Sequence, residues 1–587
     1  MWTKLKPLIP YMRKYWRGYV VGSVCTVAAN AIRVQIPRIL GKAGDDMLKV
    51  GVTWQKIYHY AGELIAIAIA YSILLYLMRW ILIGISRDIE FDLRNDLFRQ
   101  LEKQSASYYQ EHRTGDIMAR MTNDLSAVRN VLGPAIMYTA NTVVFSACAL
   151  YYLLRISPFL TLAALAPMPL VSILIQYMGR KIHERFERIQ AMFSDISAQA
   201  QENFSGARLV RAFAQEEAQI KAFERSNQEY IRRALRLVRL MGMLWPTLEF
   251  VLGLSMVIAL LVGGHEVLQH RIGIGQFITF TMFMYMLMWP IIALGYVINL
   301  FERGTASMVR IQELLTAPPS IDDREATIAK DAEMRGEVEF RDLHFAYPAE
   351  KGEPVEVLHG ISLRIPAGSS LALVGPTGSG KSTLASLIPR LYDAPPNTVL
   401  VDGRPVRAYP LDTLRRAVAL VPQETFLFST TIRENIAFGV EHAEMGQVLH
   451  AAQAAHIREE FEQFPHGFET MVGERGLTLS GGQKQRTALA RAVLRDPRIL
   501  ILDDALASVD TYTEERILDE LRRVMQGRTT ILISHRISTV RHADRIAVLV
   551  RGRIAEMGTH DELLARNGYY AELFQKQLLE EELAVSG

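Results

Sequence analysis

Cysteine is nearly missing from this chain: Cys25 and Cys148 are the only two among 587 residues. Two distant thiols, each inside an apolar stretch, build neither a disulfide framework nor a metal cage, and both read as small hydrophobes. A surplus of either charge is missing too, since 65 Lys and Arg stand against 62 Asp and Glu. No net field draws the chain toward nucleic acid, and no nucleic-acid partner is expected. Nor does a small-residue cleavage site close the first apolar run, which Lys4, Lys6, Arg13, Lys14 and Arg17 precede. That run therefore reads as a retained membrane anchor.

The sequence carries its hydrophobicity in blocks. Six apolar stretches lie near residues 17–41, 60–85, 131–154, 158–178, 241–264 and 276–301. Each is about 20 residues or longer, which at about 1.5 Å per residue crosses a hydrocarbon layer of about 30 Å. The connections 86–130 and 179–240 are long and basic, with Arg87, Arg94, Arg99, Arg113, Arg120, Arg180, Lys181, Arg185, Arg188, Arg232, Arg233, Arg236 and Arg239. The connections 42–59, 155–157 and 265–275 are short and carry only Lys42, Lys49, Lys56, Arg155 and Arg271. Positive charge marks the cytosolic side, so the long connections and both termini are expected in the cytosol. The expectation is a multi-pass protein of a bacterial inner (plasma) membrane, with the lipid bilayer as a standing partner.

Within the long connections Ile89, Leu93, Leu97 and Leu101 recur every four residues among charges, predicting membrane helices that continue into the cytosol. Polar breaks at residues 112–116 and 204–207 turn the chain and are candidate contact points with another domain. Proline and charge gather over 317–335, so the chain divides into a membrane domain (1–310), a linker (311–335) and a second domain (336–587). In the last, strand-like runs at 336–340, 370–374, 499–502 and 530–533 alternate with helical stretches. The fold class expected is six transmembrane helices with cytosolic extensions, followed by an α/β phosphate-loop nucleotide-binding domain with a largely parallel sheet.

Gly375-Pro376-Thr377-Gly378-Ser379-Gly380-Lys381-Ser382 follows an apolar strand and opens a helical stretch through Thr383, the context a phosphate loop requires. Its backbone N–H groups wrap a polyphosphate, Lys381 supplies a cation to the outer phosphates, and Ser382 ligates Mg²⁺. The apolar run at 499–502 ends in Asp503, placing a carboxylate where phosphate-loop enzymes hold Mg²⁺. ATP and Mg²⁺ are the expected cofactors.

Leu479-Ser480-Gly481-Gly482-Gln483 then precedes a strong helix former, ahead of the aspartate strand. With that signature the chain resembles, over nearly its whole length, the half-size ATP-binding cassette (ABC) exporters of the multidrug and lipid type. The resemblance implies that Tyr347 stacks on adenine and that His535 meets the γ-phosphate. It implies that Gln423 touches Mg²⁺ and water and relays nucleotide state to the membrane domain. Glu474 matches a contact to the membrane-domain elbows, and Asp510 a loop that communicates across the dimer. Two cassettes would sandwich two ATP molecules, with Ser480, Gly481, Gly482 and Gln483 of one subunit facing the phosphate loop of the other. The helix N-terminus after Ser480 suits that task through its partial positive charge.

One position departs from the family. Asp504 follows Asp503 where hydrolytic members carry glutamate as the base that orients water, and the side chain falls about 1 Å short. The catalytic residues are then Asp504, His535 and Gln423, and the metal residues Ser382, Gln423 and Asp503, with slow hydrolysis expected on this chain's own loop. A heterodimer whose partner supplies the glutamate follows; a homodimer using a water-bridged Asp504 is the alternative. The function implied is ATP-driven efflux of hydrophobic or amphipathic compounds, drugs, lipids or peptides, with a homodimeric lipid flippase or an ATP-gated channel as alternatives.

Intramembrane ionisable residues mark a translocation path or pair within their helices, and Arg33, Arg79 and Glu249 are candidates. Methionines at 282, 284, 286 and 288 offer polarizable surface for apolar ligands or for helix packing. Pro37, Pro134, Pro167, Pro169, Pro246 and Pro290 are candidate kinks.

Overall fold

The computed structural model describes residues 2–49, 53–347, 355–473, 476, 478–507 and 511–586. Glu474 and Asp510 lie outside them. Among the described residues, six helices are long and apolar enough to cross a membrane: α1 (Trp16–Met47), α2 (Trp54–Glu102), α3 (Thr114–Ile156), α4 (Pro158–Ser205), α5 (Glu216–Leu268) and α6 (Ile274–Thr316). They run 32 to 53 residues, well beyond what a bilayer of about 30 Å requires, so each continues as a polar extension. Along α2 the four-residue stripe of Ile89, Leu93 and Leu97 is fully buried. Pro246 and Pro290 sit inside α5 and α6, and Pro134 lies in Val131–Ala135, a wider π-type turn of α3. Such a turn gives the ring room that an α-helical turn denies it.

Lipid supplies no hydrophobic drive between helices, so close approach of small residues takes its place. At the α1–α6 crossing, a Cβ on Gly41 would fall 2.3 Å from the Gly275 carbonyl oxygen and 2.0 Å from Thr279 Oγ1. Thr279 Oγ1 donates to the Pro37 carbonyl at 3.1 Å, and the Gly275 amide donates to Asp45 at 2.5 Å. In the membrane unit buried Glu90 and Asp124 are paired: Glu90 holds Arg87, Arg94 and Arg129, and Asp124 accepts from Arg310 Nε at 2.7 Å.

Two compact units result, residues 1–99 with 118–316 and residues 100–117 with 317–587. The first polar break thus belongs to the second unit. Its short helix Ala106–Glu111 places Gln110 Nε2 to donate to the Tyr392 hydroxyl at 2.8 Å. Ser105 and Ser320 share a hydrogen bond at 2.7 Å, and Gln100 and Gln104 both donate to the Ala317 carbonyl. At the second break, in the first unit, Phe204, Leu209 and Phe213 are exposed.

Among its described residues the second unit holds ten strands: β1 (Val338–Tyr347), β2 (Val355–Ile365), β3 (Ser370–Val374), β4 (Val399–Val401), β5 (Arg404–Pro405), β6 (Val418–Val421), β7 (Ile499–Asp503), β8 (Thr529–Ile533), β9 (Arg545–Val550) and β10 (Arg553–Gly558). They form two sheets, ordered β2-β1-β4-β5 and β10-β9-β3-β8-β7-β6. The larger is parallel except for its edge strand β10, as expected. The run at 336–340, by contrast, opens β1 of a separate antiparallel sheet. Burial explains the difference: β7 and β8 are buried along their whole length, whereas β1 alternates and covers only one face.

Candidate active site

Parallel pairing brings the carboxyl ends of β3, β8, β7 and β6 side by side, with Leu373 opposite Ile533, Ile533 opposite Asp503, and Leu502 opposite Val421. Four of the predicted elements hang from these ends. The phosphate loop follows Val374, His535 stands two residues beyond β8, Asp503 ends β7 with Asp504 directly after it, and Gln423 stands two residues beyond β6. This carboxyl edge is where open α/β sheets bind ligands.

The loop is pinned from behind. Gly375 has φ +144°, and a Cβ there would lie 2.1 Å from the Leu549 carbonyl oxygen, so only glycine lets the backbone pass β9. Gly552 N donates to the Ser379 carbonyl at 3.2 Å, while Pro376, Thr377 and Gly378 stand exposed at the tip. Gly380 precedes helix α7 (Lys381–Leu387), which Lys381 opens. Lys381 Nζ donates to the carbonyls of Gly375 and Pro376, both at 2.9 Å. Burial pushes its pKa down, and the nearby Asp504 and Asp503 carboxylates pull it back up. The Tyr347 hydroxyl donates to Thr383 Oγ1 at 3.0 Å, and its ring meets Tyr392 edge-on at 5.1 Å. Two residues singled out separately, Tyr347 and Thr383, are therefore in contact.

Asp503 is buried, and burial pushes its carboxyl pKa up; the Ser382 hydroxyl bonded to it pulls the other way, Asp504 raises it further, and Lys381 lowers it. Its Oδ1 finds no hydrogen-bond partner among the described residues. A buried, unpartnered carboxylate oxygen beside a hydroxyl fits Mg²⁺, which takes one or two protein oxygens and completes its shell with phosphates and water.

Asp504 has φ +46°, a left-handed conformation that aspartate enters more readily than glutamate. Its amide donates to the Ile533 carbonyl at 2.8 Å, and its Oδ1 lies 3.0 Å from His535 Nδ1. Sequence spacing does not reveal that pairing. It also misses two supports of the histidine turn, which no motif announces. Gln577 donates to the His535 carbonyl and accepts from Ile537 N at 2.9 Å. Buried Glu514 holds Arg536 and accepts from Thr539 Oγ1 at 2.6 Å.

Ser480 caps helix α8 (Gly481–Leu494) in a reciprocal box: its Oγ accepts from Gln483 N at 3.3 Å, and Gln483 Oε1 accepts from Ser480 N at 3.0 Å. Gln483 Nε2 donates to Glu460 at 3.1 Å, so that side chain is held within the unit. Neither the Ser480–Gln483 turn nor exposed Gln423 hydrogen-bonds the phosphate loop among the described residues. The adjoining Pro422 borders a cleft of about 760 Å³ lined by Phe438, Arg491 and Arg495.

Residues 19–291 match the family model described as the ABC transporter transmembrane region, and residues 358–507 the one described as ABC transporter. The chain is 36% identical to a probable multidrug resistance ABC transporter ATP-binding/permease protein, YheI, of Bacillus subtilis, over 99% of this chain and 98% of that one. It is 33% identical to an ATP-dependent lipid A-core flippase of Syntrophus aciditrophicus, over 98% of this chain and 95% of the relative. Among solved structures, a bacterial Atm1-family ABC exporter with ATP bound superimposes with a TM-score of 0.79 at 28% identity, covering 96% of this chain and 99% of that one. The chain belongs to the ABC transporter family, and it is a multi-pass membrane protein that binds ATP and couples ATP hydrolysis to transport.

Proposed function

We propose that this chain is one half of a dimeric exporter that drives hydrophobic or amphipathic compounds across a bacterial inner membrane. The multidrug name of one relative and the lipid A-core name of another support drugs and lipids as its cargo classes. The observation that carries the catalytic part is the shared sheet edge, where Lys381, Asp503, Asp504 and His535 converge. In this reading the loop amides from Thr377 to Ser382 hold the phosphates, and Lys381 turns from its own loop's carbonyls toward them. Ser382, Asp503 and Gln423 hold Mg²⁺, which neutralises phosphate charge when bound. Tyr347 bears on the adenine, its hydroxyl steadied by Thr383.

The Ser480 turn is capped and presents the first-turn N–H groups of Gly481 and Gly482, which suits a γ-phosphate held by a second subunit. Exposed Phe204, Leu209 and Phe213 likewise fit an apolar contact with a partner. Asp504, committed to His535, favours a heterodimer in which the partner supplies a glutamate and this chain supplies the signature. The lipid A-core flippase name of one relative favours a lipid flippase as the second reading.

Proteoliposomes holding the chain, alone and with candidate partners, test this. ATP-dependent movement of a hydrophobic dye or labelled lipid is expected from the productive pair. Absence of Mg-ATP binding by intact protein in lipid overturns the proposal.

A further inference from the structure

Two features of the membrane unit stand apart in sequence, the acidic residue of α5 and the methionine-rich stretch of α6. Both line one cavity of about 310 Å³, bordered by Glu249, Met168, Met256, Met284, Tyr285 and Met288. Glu249 lies eight residues into the apolar run beginning near 241, about 12 Å along the helix, inside the hydrocarbon layer. Its side chain is exposed on the single chain, and no basic residue pairs with it among the described residues. Arg33, by contrast, lies 4.4 Å from the Phe145 ring centre and 5.9 Å from that of Tyr71, where its charge is accommodated.

An unpaired carboxylate at that depth is tolerated only facing a water-filled or ligand-filled interior. Methionine thioethers are polarizable and adjust to irregular apolar shapes, and the exposed Tyr285 ring offers a π-face to positive charge. A neutral ligand leaves the carboxylate without a partner, and an anion is repelled by it. We propose that Glu249 and its surrounding methionines form a binding site for amphipathic organic cations; this narrows the substrate class of the exporter reading above and rests on it. At about 310 Å³ the cavity admits one aromatic portion of such a ligand, near the lower limit for drug-sized sites.

Tetraphenylphosphonium and tetraphenylborate share shape and differ in charge sign, so together they isolate the role of the carboxylate. Binding of each is measured to the full chain in lipid nanodiscs, alongside Mg-ATP binding as a check on the intact fold. Tetraphenylphosphonium is expected to bind at least tenfold more weakly to Glu249→Gln, with Glu249→Asp retaining most of the affinity and tetraphenylborate binding unchanged or strengthened. Mg-ATP binding is expected to be the same in all three proteins. Retention of cation affinity within twofold in Glu249→Gln overturns the proposal, as does failure of the unmodified chain to bind the cation while it binds Mg-ATP. Loss of Mg-ATP binding by the unmodified chain instead overturns the exporter reading itself. Should Glu249→Gln fold poorly, Met288→Glu and Met288→Lys, at a half-buried position lining the same cavity, replace it: the acid is expected to strengthen cation binding and the base to abolish it, and equal binding by the two overturns the proposal.

Discussion

The Oδ1 atom of Asp504 lies 3.0 Å from the Nδ1 atom of His535 and also accepts the backbone N–H of His535 at 3.3 Å. One oxygen thus steadies both the ring and the backbone of the residue expected to face the γ-phosphate. In the reading proposed above, a hydrolytic site carries glutamate here, one methylene longer than Asp504. The geometry of Asp504 suits a positioning residue better than a general base.

That distinction separates two substitutions. Asparagine at position 504 keeps an oxygen acceptor for both hydrogen bonds, so Asp504→Asn is expected to change the turnover of the chain alone, itself expected to be slow, by less than about threefold, far below the 10²–10⁴ of a working base. His535→Ala is expected to remove most of what remains. Phosphate release under saturating Mg-ATP checks both. A loss of about a hundredfold in Asp504→Asn would show that the carboxylate itself takes the proton.

Burial raises the Asp503 pKa. A carboxyl whose folded pKa exceeds its unfolded value is stabilised when protonated. Stability therefore falls as pH rises from the unfolded value through the folded one, and the cost is complete above it. Asp503→Asn is accordingly expected to leave nucleotide-free protein as thermally stable as the parent at neutral pH, or more so. It is also expected to abolish Mg²⁺-dependent turnover. Thermal unfolding with and without Mg-ATP reads both effects, and a marked loss of stability without nucleotide would contradict this account of the buried carboxylate.

The sequence exposes these motifs unevenly, and the reasons are physical. Six long apolar stretches dictate membrane helices because backbone in lipid has few other ways to satisfy its hydrogen bonds. The phosphate loop is legible because strand, glycines, lysine and helix follow one another directly. Contacts made across the sheet are not legible in the same way. Asp504 meets His535 only because β7 and β8 are neighbours. Gln577 arrives from a helix near the C-terminus without any motif. The strand opening near residue 338 alternates as one-sided antiparallel strands do, a cue lost when it is grouped with the continuous runs at 370–374, 499–502 and 530–533.

Residues 100–117 pack with the nucleotide-binding unit, and the Gln110–Tyr392 hydrogen bond is one tie between that segment and the rest of it. An exposed bond of this kind contributes about 0.5–1.5 kcal/mol. Tyr392→Phe and Gln110→Ala are each expected to leave ATP affinity unchanged while lowering substrate-stimulated turnover by about two- to tenfold. Titrating both ATP and transported substrate separates the two effects. A matching loss of ATP affinity would place Tyr392 in the nucleotide site instead.

Helix packing offers a test independent of chemistry. Gly41→Ala inserts a methyl group 2.3 Å from the Gly275 carbonyl oxygen and is expected to destabilise the membrane unit by about 1–3 kcal/mol through overpacking. Gly62→Ala, in α2, meets nothing within 4 Å and serves as the neutral comparison. Unfolding in mild detergent, followed by tryptophan fluorescence, compares the two.

ATP turnover by the purified chain in lipid, set beside Asp504→Glu, tests the central claim most directly. The unmodified chain alone is expected to hydrolyse slowly, and the glutamate variant at least about tenfold faster, as restored reach to the attacking water requires. Brisk hydrolysis by the unmodified chain, with no gain from glutamate, would contradict the account.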